Sequence, residues 1–185
     1  PLTGGFGVGE AGGYWGAELK HAGLDGLIFE GISEDPVYLW LKDGEPELRD
    51  AGHLWGKYTK ETQVTIRKEL NDDRVRVAGI GPGGENMVPY ACIINDLTNA
   101  VGRTGLGAVM GSKNLKAIAV RGSGQVKVAD PEKTKELTRS IAKTIAARSS
   151  RQESGSGRPP YTPNGNLPIR NFQDGEFPEW ADISA

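Results

Sequence analysis

Apolar residues along this chain recur at two periods, and the change from one to the other marks its elements. Trp15, Leu19 and Ala22 stand at helical spacing and predict a helix over 14–22, ended by Gly23. Residues 27–30 and 37–41 predict two strands on either side of a turn at Pro36. The run Val37-Tyr38-Leu39-Trp40-Leu41 is apolar at successive positions, the pattern of a strand covered on both faces. Lys42-Asp43-Gly44-Glu45 then predicts a hairpin turn through its Asp-Gly pair. A helix is expected over 59–70, with Thr59 as cap, Glu61 early and Arg67 and Lys68 late. Strands over 75–80 and 87–95 flank the glycine loop Gly81-Pro82-Gly83-Gly84-Glu85-Asn86. A further glycine stretch at 102–107 runs into 108–113, and closing strands are expected at 117–120 and 126–128. Short strands, few helices and hairpin signals together predict an α+β fold rather than a regular parallel α/β sheet.

At Asp130 the pattern changes. Asp130-Pro131-Glu132 combines a cap, a proline at the first helical position and an early acid, and Leu137, Ile141 and Ile145 follow at steps of four. Residues 149–166 are polar and rich in Ser, Gly and Pro, the composition of a flexible linker. Phe172, Phe177 and Trp180 lie in a tail too short to bury them alone, so that end is expected to pack against parts outside the chain. Two domains are therefore expected. The boundary between them is expected at 129/130. The opening Pro1-Leu2-Thr3-Gly4 reads like the middle of a protein, so a processed product or a fragment is expected.

Composition narrows the chemistry. Twenty-two basic and 24 acidic residues leave a formal charge of −2, which argues against a general grip on nucleic acid or on an anionic membrane. No apolar run has the length of a membrane span, and no export signal is visible. The single cysteine, Cys92, excludes an internal disulfide and any multi-cysteine metal site within the chain. It lies in an apolar segment and is expected to be a core residue. His53, near Trp55, is expected to be a packed loop residue, and His21 to sit at the negative end of its helix. Asp72-Asp73 reads as a solvated turn. No residue presents itself as a catalytic acid or base. The outlying number is 27 glycines, about twice the usual share.

The glycines cluster. Gly7-x-Gly9-x-x-Gly12 matches the dinucleotide-binding fingerprint, followed by a helix and a strand ending at Glu30. An NAD or FAD site would also need a hydrophobic strand just before the glycines and a helical crossover after them. Only Pro1, Leu2 and Thr3 precede Gly4, and a hairpin follows. Glycine loops do leave backbone N–H groups unshielded, and helix starts add positive dipole. The loops ahead of Tyr14 and of Ala108 both have this form, and Arg103 adds a planar donor suited to phosphate. They suggest a ligand with more than one phosphate. Tight turns and close helix–sheet packing are the other use of such glycines.

The stretch from Gly102-Arg103-Thr104-Gly105-Leu106-Gly107 through Lys113-Asn114-Leu115-Lys116-Ala117-Ile118 resembles the signature of the aldehyde ferredoxin oxidoreductase family. Pro1–Gly4, Gly12-Gly13-Tyr14-Trp15-Gly16-Ala17-Glu18-Leu19-Lys20 and Ala51-Gly52-His53-Leu54-Trp55-Gly56 support it. So do Ile80-Gly81-Pro82-Gly83-Gly84-Glu85-Asn86, Asn95-Asp96 and Arg170-Asn171-Phe172-Gln173, in order along nearly the whole chain.

The resemblance implies a tungsten, or molybdenum, enzyme that oxidises aldehydes to carboxylic acids and passes electrons to ferredoxin. It implies a bis-pyranopterin cofactor (tungstopterin) seated on a β-sheet-based N-terminal domain, here 1–129 and truncated at its start, with 130–185 beginning a mainly helical, cluster-binding domain. It also implies a Mg2+ ion bridging the pterin phosphates, and a 4Fe–4S cluster whose cysteines lie outside this chain. By position, the cofactor-binding residues would be Glu10, Gly12, Asn99, Ala100, Gly102 and Arg103, with the backbone carbonyls of Glu10 and Ala100 on the magnesium. Glu10 stands where the family usually has Asn, and Asn99 where an Arg commonly contacts phosphate. The chain alone would be inactive. Partners would be ferredoxin and a small aldehyde, without nucleic acid or membrane; a homo-oligomer is compatible with this, and the compartment would be the cytoplasm. A non-catalytic relative and a relative that reduces aromatic thioesters are the other members such a chain could belong to.

Overall fold

A computed structural model describes residues 5–149 together with 170, 171, 173 and 174. The chain divides into two compact units, Pro1–Lys127 and Val128–Ala185.

The first unit is built on one mixed six-stranded sheet. Its strands are β1 (Val37–Lys42), β2 (Glu45–Asp50), β3 (Arg76–Gly79), β4 (Ile93–Asn95), β5 (Asn99–Val101) and β6 (Leu115–Arg121). Their order across the sheet is β2-β1-β6-β3-β4-β5. Only β1 and β6 run parallel; every other neighbour pair is antiparallel. The helices are α1 (Trp15–His21), α2 (Thr59–Leu70), α3 (Pro82–Glu85) and α4 (Leu106–Ser112). This is the expected α+β architecture.

The central strands are covered on both faces, as the apolar run in β1 predicts. Tyr38, Ala117 and Ala119 pack with Ile66 of α2 and Leu54 on one side. Leu41 and Val120 meet Leu19 of α1 and Ala22 just after it on the other, where Leu115 also meets Met110 of α4. The pairing of β1 with β6 slips by one residue: Val37 faces Leu115, but Tyr38 faces Ala117. Lys116 is the extra residue of this bulge. The indole Nε1 of Trp15 donates to the carbonyl of Ile118 at 3.1 Å and ties α1 to β6.

Several local expectations change. Residues 27–30 form no strand; Leu27 and Phe29 fill core positions without a ladder. Residues 126–128 form none either, and Val126 and Val128 stay about half exposed. The strand expected over 87–95 shrinks to Ile93–Asn95. Met87 turns left-handed (φ 53°), and the backbone of Val88 and Ala91 closes turns with Gly83 and Val88. The loop at 81–86 contains the short helix α3 instead. Thr59 is the first residue of α2 rather than its cap, and Glu61 Oε2 accepts the N–H of Tyr58 at 3.2 Å.

Cys92 lies just before β4 and is half-buried, not a core strand residue. His53 holds Glu69 through Nε2 at 2.5 Å. His21 Nδ1 lies 2.8 Å from the carbonyl of Gly124. Asp72 is more than a solvated turn: its carboxylate receives the N–H of Arg74 and the guanidinium of Arg121.

The second unit contains α5 (Pro131–Ser149), which starts where expected, with Asp130 Oδ1 accepting the N–H of Lys133 at 2.9 Å. Leu137 and Ile141 on its stripe are exposed. Of the linker expected over 149–166, Ser149 instead ends α5; residues 150–166, with Phe172, Phe177 and Trp180, lie outside the described residues.

Candidate functional site

Two glycine segments far apart in sequence meet at the β5 edge of the sheet. The loop at 5–13 has no regular structure and lies against β5 and the turn that follows it. A Cβ on Gly9 would stand 2.5 Å from Val101 Cγ1 and 3.3 Å from the carbonyl oxygen of Arg103. A Cβ on Gly12 would stand 3.2 Å from Asn99 Oδ1. Gly13 is confined twice, by its φ of +95° and by Asn99 Nδ2 at 2.7 Å from where a Cβ would be. Glycine here lets the loop lie directly against the side chains of Val101, Asn99 and Asn95.

Between the two segments is a hollow of about 710 Å3 lined by Val8, Glu10, Ala100, Gly102 and Arg103. Four of the six residues expected at a site therefore share one cavity wall. Gly12 and Asn99 touch each other beside it and support the loop from below. Nothing lies within 4 Å of where a Cβ on Gly102 would stand, so its backbone is bare. Among the described residues the guanidinium of Arg103 has no ion pair or hydrogen bond. The hollow thus presents one carboxylate, one uncommitted guanidinium and open main chain. That set fits an anionic group near Arg103, with Glu10 on the opposite segment suited to a neighbouring cation. Among the described residues, no cluster of three His, Cys, Asp or Glu side chains stands ready to hold a metal.

Near each helix start, one N–H is taken within the protein. The N–H of Tyr14, ahead of α1, donates to Asp96 Oδ2 at 3.2 Å. At the start of α4, the N–H of Gly107 donates to the carbonyl of Ala91 at 3.0 Å. The glycines also divide between the two uses left open. Gly105, Gly107 and Gly111 are packing glycines, because their Cβ atoms would meet backbone of Pro89, Cys92 and Gly84 at 2.0, 2.5 and 1.9 Å. Gly102 is not. Nor do Gly7, Gly9 and Gly12 open a dinucleotide unit, since no strand follows α1 until β1, which turns straight into a hairpin.

The sequence singled out Asn95-Asp96 only as part of the family resemblance and gave neither residue a role, yet they hold this corner together. Asn95 and Asp96, at the end of β4, reach across to the first glycine loop. Arg76 of β3 lies 4.9 Å above the Tyr14 ring and 3.7 Å from Asp96 Oδ1. Their one local signal was an Asn-Asp pair straight after an apolar run, which also reads as an ordinary turn.

Residues 1–122 match the family model for the aldehyde ferredoxin oxidoreductase N-terminal domain. A tungsten-containing aldehyde ferredoxin oxidoreductase of Pyrococcus furiosus is 47% identical over 96% of this chain and 30% of its own length. An aliphatic sulfonate oxidoreductase, WOR-like subunit, from the same organism is 39% identical over 91% of this chain. Among solved structures, the active-site complex BamBC of benzoyl coenzyme A reductase superposes with a TM-score of 0.74 at 42% identity. That match covers 83% of this chain and 23% of the other. The chain spans about 30% of the length of the curated relatives it matches. With the glycine segments folded together on a six-stranded mixed sheet, the chain belongs to the aldehyde ferredoxin oxidoreductase family and carries its N-terminal domain.

Proposed function

We propose that this chain is the cofactor-holding part of a tungsten, or molybdenum, bis-pyranopterin enzyme that oxidises aldehydes to carboxylic acids with ferredoxin as electron acceptor. The observation that carries the reading is the convergence of Glu10 with Ala100, Gly102 and Arg103 around one hollow. The names of the relatives supply the tungsten and the ferredoxin.

In this reading residues 1–129 form the cofactor domain and 130–185 open a helical domain. On the same reading the iron–sulfur cluster ligands and the catalytic groups belong to parts of the protein beyond this chain. Among the described residues no helix is long and apolar enough to cross a membrane, and the reading places the enzyme in the cytoplasm.

The chain's own work is binding and electrostatics. Arg103 places its fork of donors on a phosphate. The bare backbone at Gly102 lets that phosphate come close, because no Cβ intervenes. The backbone carbonyls of Glu10 and Ala100 would hold a magnesium ion. Glu10 sets a negative charge beside that cation and repels any phosphate oxygen the cation does not shield. When bound, the metal–dithiolene group supplies the redox chemistry: aldehyde plus water gives carboxylic acid, two protons and two electrons, the electrons leaving one at a time to ferredoxin.

Anaerobic metal and pterin analysis of the full-length protein tests this. About one tungsten or molybdenum per chain is expected in the wild type, with a clear loss in Arg103→Gln. Neither metal in the wild type refutes the reading and leaves a non-catalytic relative. The likeness to benzoyl coenzyme A reductase favours a second reading in which the same hollow serves a thioester-reducing enzyme. Turnover of an aromatic thioester but not of aldehydes would select it.

A further inference from the structure

We propose that Asn95 and Asp96 are the positioning residues of this hollow: together they clasp the first glycine loop on both sides of Gly13 and so keep Glu10 opposite Gly102 and Arg103. What the hollow holds rests on the reading above; the clasp is a statement about this chain's own residues.

The hydrogen bonds carry the case. Asn95 Nδ2 donates to the carbonyl of Gly12 at 2.5 Å, and Asp96 Oδ2 accepts the N–H of Tyr14 at 3.2 Å. Adjacent residues therefore hold the chain just before and just after Gly13. Asp96 reaches Tyr14 from a left-handed turn position (φ 49°), where a non-glycine residue is strained. Its side chain is 9% exposed, with Arg76 Nη1 3.7 Å away. The Arg76 guanidinium lies over the Tyr14 ring and so joins β3 to the same residue that Asp96 holds.

Asn95 itself is buried, and its Oδ1 has no partner among the described residues. A buried acceptor left unpaired is costly. The amide has committed its donor to a loop 83 residues earlier in the chain rather than to its own hairpin. Upstream, Gly9 is pressed against Val101. Glu10 and Ala11 are thus bracketed by fixed points at Gly9 and at Gly12–Tyr14. The wall position of Glu10 follows from those anchors, not from any contact of its own. Sites whose supporting residues are locked bind with less reorganisation.

Hydrogen–deuterium exchange on the full-length, metal-free protein, together with pterin and tungsten content of the protein purified anaerobically, tests the proposal. In Asn95→Leu and Asp96→Ala, exchange in the peptide covering 7–15 should rise about tenfold or more while peptides from α2 and β6 stay within about twofold of wild type. Bound pterin and tungsten should fall to below about a third of wild type. Asp96→Asn keeps an oxygen acceptor for Tyr14 and should restore both readouts. Unchanged exchange at 7–15, a rise of equal size in α2 and β6, or full pterin retention with a loosened loop would each overturn the proposal. A wild type without pterin would refute the reading of the hollow, and the exchange data would still decide the clasp.

Discussion

Lys116 and Glu85 form an ion pair that solvent does not reach, with side chains 0% and 4% exposed. Lys116 is the bulged residue of β6, and Glu85 ends α3. The ammonium also donates to the carbonyl of Lys57 at 2.8 Å, and Glu85 Oε2 accepts the N–H of Gly56 at 2.8 Å. Two charges thus join a central strand, a short helix and the turn leading into α2. Their desolvation is offset because the neighbouring polar groups are paired as well.

Removing one partner leaves the other charged and buried. Lys116→Met or Glu85→Gln should lower stability by about 3–5 kcal/mol in urea unfolding. The double variant Lys116→Met/Glu85→Leu should lose clearly less than the sum of Lys116→Met and Glu85→Leu alone. Strict additivity would show that the two residues do not act as a pair.

Arg121 is the second hub. Its guanidinium donates to Glu18 Oε1 at 2.6 Å and to Asp72 Oδ2 at 3.1 Å, joining α1, β6 and the turn before β3. The carboxylate of Asp72 is held below its ordinary range by the N–H of Arg74 and then by the guanidinium of Arg121. A depressed carboxylate stabilises the fold above its unfolded pKa of about 4, and that contribution disappears as pH falls through the lower folded value. Asp72→Asn should therefore flatten the acid limb of the stability curve below about pH 4. The effect should be under about 1 kcal/mol, because the group is partly solvated. An unchanged acid limb would show that Asp72 is not held in this way.

The two kinds of glycine can be separated by alanine. A Cβ on Gly111 would lie 1.9 Å from the carbonyl oxygen of Gly84, which must move for the helices to meet. Gly111→Ala should cost about 3 kcal/mol or more by thermal unfolding. Gly102→Ala meets nothing and should change stability by less than about 0.5 kcal/mol while lowering pterin content. Equal thermal effects of the two would remove the distinction.

What could be read from the sequence was what neighbours along the chain decide. Asp43-Gly44 turns β1 into β2 within its own few residues, and the charges of α2 lie within its own turns. Leu27 and Phe29 misled because apolar residues signal burial, whereas a strand also needs a partner edge, and no ladder reaches them. At the site, Glu10, Ala100, Gly102 and Arg103 were identifiable by resemblance and are gathered at one hollow. Which glycines are bare and which are pressed against backbone was hidden. Gly102 and Gly105 are three residues apart, and the left-handed backbone of Gly105 (φ +69°) and the nearness of Pro89, set by the chain's long-range path, separate their roles. The reach of Asn95 to Gly12 was hidden for the same reason.

The parallel seam between β1 and β6 has a consequence for assembly of the protein. Val37 is made early, yet its partner Leu115 follows only after every other strand of the sheet has been made. Pairings so distant in sequence form slowly, and during synthesis β1 waits on the ribosome with its β6 edge unpaired. The sheet that carries the hollow is therefore complete only once the polypeptide has emerged past Arg121, and whatever the hollow holds can enter a finished receptacle only after that point.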